Sequence, residues 1–203
     1  MSPSVLFAQV PCFYAEVERA REPSLRARAI IVGGDPRKRG LVQSACPEAL
    51  AAGVSVGEPM WSAVERCPSA RVARTDMKLY REISVRLRRC LRGQVASIEP
   101  LGLDAAFLEI SVVGNSTEEA VQSLAVRLQG EVREETGLPL RVGIAPVKFL
   151  ARLAAEDADA SGIRQISRGQ EAAFLAPLKL ERLPGVGPRT VSTLEALGAH
   201  CVS

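Results

Sequence analysis

The chain has 203 residues, 47% of them hydrophobic, enough to bury a core in one large domain or two small ones. Only 4% are aromatic, which leaves little material for a base-stacking platform of the single-strand-binding kind, and a net charge of +3 is too mild to argue nucleic-acid binding by itself. Five scattered cysteines, none in a C-x-x-C, and a single histidine argue against zinc, while the odd cysteine count fits reduced thiols. With no signal-like N-terminus and no apolar run approaching a membrane span, the expectation is a soluble cytoplasmic protein.

In chain order, residues 5–10 make a short apolar strand, and 13–20 start a helix behind it. Residues 29–32 make a second apolar strand, ended by a turn at Gly33-Gly34. Short helices are expected over 47–52 and 59–67, stopped by Gly53 and Pro68. A longer helix covers 76–91, with Leu79, Ile83, Leu87 and Leu91 as its apolar stripe. Strands at 95–99 and 106–112 are joined by a tight connection at Gly102, forming a hairpin. Ser116-Thr117-Glu118-Glu119 is a capping box that opens a helix with Val121, Leu124, Leu128 and Val132 inward, closed by Gly137. Residues 140–144 make the last strand. Strand, helix, two strands, helix, strand is the split βαβ or ferredoxin-like order of an α+β fold, with 21–75 inserted after the first helix.

Charge is uneven. Residues 78–92 carry Lys78, Arg81, Arg86, Arg88, Arg89 and Arg92 against Glu82 alone, and Arg37, Lys38 and Arg39 form a compact basic turn. Either could meet phosphates. The plainer reading of such a run is a solvated helix face.

Two segments carry the functional signal. Residues 9–18 read Q-V-P-C-F-Y-A-E-V-E, and residues 99–110 read E-P-L-G-L-D-A-A-F-L-E-I. They resemble the active-site motifs of the Y-family (translesion, DinB/UmuC-like) DNA polymerases, approximately D-x-D-x-F-Y-A-x-V-E and E-P-x-S-x-D-E-A-Y-L-D. G-G-D-P-R-K-R-G (33–40) and S-A-C-P-E-A-L-A-A-G-V (44–54) resemble the family's fingers. R-V-G-I-A-P-V-K-F-L-A-R-L-A-A-E (141–156) resembles its x-V-G-I-A-x-N-K-x-L-A-K stretch, and L-P-G-V-G-P-R-T-V-S-T-L-E-A-L-G (183–198) its thumb helix-hairpin-helix. Six collinear matches are far more specific than any one motif. The resemblance implies a palm over 1–20 and 76–166, fingers over 21–75, and a partial thumb with the helix-hairpin-helix over 167–203. The family's little-finger domain is expected to be absent.

The resemblance also implies a chemistry, which the residues contradict. Nucleotidyl transfer uses two divalent cations, magnesium in this family, held by hard carboxylate oxygens. Of the three family carboxylates, one has become Gln9, one survives as Asp104, and one has become Ala105. Gln9 offers a neutral amide, Ala105 offers nothing, and Glu109 lies farther along the strand. The family's tyrosine and arginine on the triphosphate read Pro47 and Leu50, and a leucine cannot replace a bidentate guanidinium. Arg152 matches the family lysine and keeps its charge. Tyr14 matches the sugar-discriminating position, or is an aromatic packed beneath the fingers.

The 183–198 hairpin needs only backbone chemistry. Gly185 and Gly187 allow close approach to a phosphate, Pro188 suits a first helical turn, and Arg189 adds charge. The expectation is a catalytically inactive, ImuB-like accessory or scaffold factor in DNA repair or translesion synthesis. It would bind DNA weakly and without sequence preference, need no cofactor, and work beside a replicative or repair polymerase. Two alternatives stand next to it: an active but unusual translesion polymerase, and a protein-interaction module with no DNA role.

Overall fold

The structure, a computed structural model, describes residues 5–25, 27–110 and 117–202. In order these form β1 (Val5–Gln9), α1 (Phe13–Arg21), β2 (Ile30–Gly33), β3 (Val42–Ala45), α2 (Pro47–Ala51), α3 (Met60–Arg66), β4 (Arg71–Arg74) and α4 (Met77–Arg92). There follow β5 (Ser97–Leu101), β6 (Ala105–Glu109), α5 (Glu118–Thr136), β7 (Arg141–Ala145), α6 (Lys148–Glu156), β8 (Ile163–Gln165), α7 (Glu171–Leu175) and α8 (Pro188–Ala196).

A five-stranded sheet has the order β5-β6-β1-β7-β8, antiparallel except for β7–β8. Its first four strands reproduce the expected split βαβ order. β1 is central because its residues serve two faces at once. Leu6 and Ala8 are buried against the side carrying α1, α4 and α5, while Phe7 packs on the other side with Ala105, Leu150 and Ala151 under α6. α6 can settle there only because Gly143 has no side chain: a Cβ would lie 1.9 Å from the Ala151 carbonyl oxygen.

A second sheet, β3-β2-β4, pairs β2 antiparallel with β3 and parallel with β4. Only β2 of this sheet was foreseen. α1 lies against both sheets. Its Ala15 N–H donates to the Ser44 hydroxyl at 3.4 Å, and Arg19 spans to Glu16 (3.0 Å) on α1 and Glu48 (2.7 Å) on α2.

Several boundaries differ from expectation. On α4 the buried residues are Tyr80, Ser84, Leu87 and Leu91, whereas Leu79 and Ile83 are only half-buried. A strict four-residue spacing drifts around a helix of 3.6 residues per turn, so the inward face follows 80, 84, 87 and 91 instead. The helix begins at an Asp76 cap that accepts the Leu79 N–H at 3.1 Å. The hairpin strands are Ser97–Leu101 and Ala105–Glu109, turning at Gly102 with φ 68. At α5 the cap is Thr117, accepting the Ala120 N–H, rather than Ser116, which lies outside the described residues along with the expected strand end at 111–112.

Candidate functional site

Antiparallel register brings the key positions together. Gln9 ends β1, stands opposite Ala105 at the start of β6, and on its other side faces Arg141 at the start of β7. Asp104 occupies the turn just before β6, clamped by its own carbonyl, which accepts the Val10 N–H at 2.9 Å. Its carboxylate is half-buried and already engaged: Gln9 Nε2 donates to Asp104 Oδ2 at 3.2 Å. Ala105 is buried in the small cluster beneath α6. Gln9, Asp104 and Ala105 therefore meet as the sequence implied.

The donor set does not fit a divalent cation. An amide N–H points at the one carboxylate, the neighbouring position has no oxygen, and a guanidinium follows on the next strand. No group of three or more acidic, cysteine or histidine side chains suited to a metal occurs among the described residues. The two acids farther along the hairpin face other tasks: Glu109 is exposed and accepts the Ser97 hydroxyl at 3.1 Å, while Glu99 pairs with Lys148, whose ammonium also lies 5.6 Å from the Phe107 ring centroid.

α1 starts beside this cluster. Its cap, Cys12, is the one non-glycine residue with a left-handed backbone (φ 51) among the described residues. Burial, and then Glu16, raises the Cys12 thiol above its ordinary pKa. Tyr14 stacks on Tyr80 with ring centroids 4.3 Å apart, and the Tyr80 hydroxyl donates to Glu18 at 2.8 Å. Burial, and then Glu18, raises the Tyr80 phenol strongly. The packed-aromatic reading of Tyr14 thus has a definite partner.

Of the positions that the resemblance assigns to a triphosphate, Pro47 opens α2 and Leu50 is exposed on it, neither offering a donor side chain. The polar role on α2 belongs to Glu48. Burial opposes its ionisation, but hydrogen bonds from the Cys46 thiol and Arg19 hold its pKa below the ordinary value. Arg152 on α6 is paired within its own helix, Nε to Glu156 Oε1 at 3.1 Å. The sequence reading missed Arg141. Its guanidinium reaches the Glu156 carbonyl, Nη1 to O at 3.5 Å, beside Arg152's partner. An arginine directly before an apolar strand run was the only available signal.

The glycine hairpin stands apart. Gly185 has φ 89, Gly187 caps α8 with Pro188 as its first residue, and Arg189 is exposed. A Cβ at either glycine would meet nothing within 4 Å, so both face open space. The element before the turn is a single 3-10 turn, Leu180–Arg182, rather than a full helix. In the basic helix, Arg86 donates to the Glu135 carbonyl and Arg88 to the Gly102 carbonyl (2.7 Å), while Lys78, Arg81, Arg89 and Arg92 are exposed.

The chain as a whole is similar to known proteins. Residues 9–156 match the impB/mucB/samB family. The chain is 34% identical over 196 residues to DNA polymerase IV of Dehalococcoides mccartyi, covering 97% of this chain and 50% of that protein. It is 38% identical over 202 residues to DNA polymerase IV of Streptomyces coelicolor, covering 99% and 42%. The chain thus spans about half the length of these relatives. Among solved structures, an insertion ternary complex of Dbh DNA polymerase superposes with a TM-score of 0.90 at 27% identity, over 98% of this chain and 58% of that one. DinB from Sulfolobus solfataricus superposes with a TM-score of 0.89, also at 27% identity and the same coverage. The fold, the strand-end motif and the matched stretch agree: this chain belongs to the impB/mucB/samB family, the Y-family of DNA polymerase-like proteins.

Proposed function

We propose that this chain is a catalytically inactive Y-family polymerase-like protein that serves as an accessory DNA-binding factor in repair or translesion synthesis. One observation carries the reading: Asp104, the survivor of the family's three carboxylates, accepts a hydrogen bond from Gln9 where the family places a second carboxylate. A cation there would gain one charged ligand and lose that hydrogen bond. The triphosphate side is weakened independently, because Pro47 and Leu50 supply no donor and Arg152 is occupied by Glu156.

On this reading residues 1–20 and 76–166 form the palm, 21–75 the fingers, and 167–203 a partial thumb. The thumb turn would hold DNA through main-chain N–H groups at the start of α8, helped by Arg189. No helix among the described residues is long and apolar enough to cross a membrane, which suits a cytoplasmic role on DNA.

The names of the relatives favour a second reading, an active translesion polymerase of unusual configuration. Primer extension with magnesium separates the two. The expected result is no template-directed incorporation; incorporation abolished by Asp104→Ala would establish the second reading.

A further inference from the structure

Arg141 opens β7 directly across from Gln9, and directly opposed residues of antiparallel strands project to the same face. Ala105 stands opposite Gln9 on the other side, and Asp104 is tied to the Gln9 amide. The Arg141 guanidinium is anchored on the Glu156 main-chain carbonyl at the end of α6, not on a carboxylate. Its charge also reaches Cys12 at the head of α1, where it opposes the rise in the thiol's pKa. Gln9, Asp104, Ala105, Cys12 and Arg141 thus surround one spot where three strands end.

We infer that Arg141 is a built-in cation that keeps divalent metal ions away from the Gln9–Asp104 pair. This rests on the reading of the chain as inactive and adds a separate cause. Gln9 and Ala105 withhold ligands, whereas Arg141 repels the ion itself. Even in the dielectric of water, a unit charge and a dication one strand spacing apart (~5 Å) repel enough to weaken binding by about tenfold. A carboxylate restored at position 9 would also meet this guanidinium across the strands and be claimed by it.

The plainer role for Arg141 is a cap on the last carbonyl of α6, which needs a donor but no charge. Substitutions that separate charge from donor decide between them. In a Gln9→Asp, Ala105→Glu background, manganese binding is followed by electron paramagnetic resonance, with folding checked by circular dichroism. Arg141→Gln, which keeps a donor and removes the charge, is expected to tighten manganese binding by about tenfold or more. Arg141→Lys is expected to leave it weak. Arg141→Met is a second neutral variant and should behave like Arg141→Gln. Equal manganese affinity with arginine, lysine and glutamine at 141 would overturn the inference. So would a complete lack of binding in every variant, since removing the charge would then open nothing. Primer extension by the unmodified chain tests the proposed inactivity separately, so either idea can fail without the other.

Discussion

Single residues set hard limits in this chain. Gly143 is the clearest: its Cα faces the Ala151 carbonyl so closely that any side chain must push α6 off the sheet. Gly143→Ala is expected to lower stability by about 3 kcal/mol, read as a drop in the thermal or denaturant midpoint; a change within about 0.5 kcal/mol would mean that α6 shifts freely. Glu16 gives a pH signature. Burial, partly offset by Arg19, raises its carboxyl above the ordinary 4.5. The folded chain therefore holds this proton more tightly than the unfolded one. The stabilisation is complete below pH 4.5 and is lost as pH rises through the folded-state value. Glu16→Gln should keep a hydrogen-bonding partner for Arg19 and flatten the stability curve just above pH 4.5, which denaturant titrations across that window would register.

Among elements, those whose apolar pattern is long and local were legible in the residues alone. α5 buries Val121, Leu124, Leu128 and Val132 as expected. β3 and β4 were not legible. Each has four residues, Gln43 interrupts one, and Arg71 and Arg74 end the other, so neither shows a readable apolar period. β4 also pairs in parallel with β2, far back along the chain, which no local pattern announces. The turn before α8 carries a prediction of its own. Gly185→Val forces a β-branched residue into φ 89 and places a side chain where a phosphate would approach. It is expected to reduce DNA binding at least about fivefold, with the log–log salt slope becoming shallower by ~0.9 for each phosphate no longer neutralised. If binding survives that change and disappears on neutralising Arg81, Arg89 and Arg92, DNA meets α4 and the hairpin is only structural. Arg86 and Arg88 are poor probes of this, since both already hold main-chain carbonyls.

At the scale of the molecule, two sheets are joined across α1 by a shared apolar cluster, Phe13, Ala15 and Val17 among it, and by an ionic clasp. Arg19, mostly buried, binds Glu16 on its own helix and Glu48 on α2, and also lies 3.5 Å from the Arg28 carbonyl. Arg19→Leu would strand the buried Glu16 carboxylate and cut the link to α2. A loss of about 2–4 kcal/mol is expected. Hydrogen exchange should rise in β2, β3 and α2 before it rises in β1 and β6; uniform acceleration would show that the two sheets open together. Motif order conveyed the meeting of Gln9, Asp104 and Ala105, because those positions fall at the ends of recognisable strands. Arg141 escaped notice because its importance comes from register, and register depends on tertiary pairing that the residues around 141 do not encode.

The hydrogen bond from Gln9 to Asp104 also bears on what that aspartate does for the fold. Asp104 closes a strand end through both its carbonyl and its carboxylate, an architectural task that needs no metal. On the proposed inactive reading, polymerisation would need changes at positions 9 and 105, at 141 to remove the repelling charge, and again at 47 and 50. On that reading, no single substitution would restore turnover.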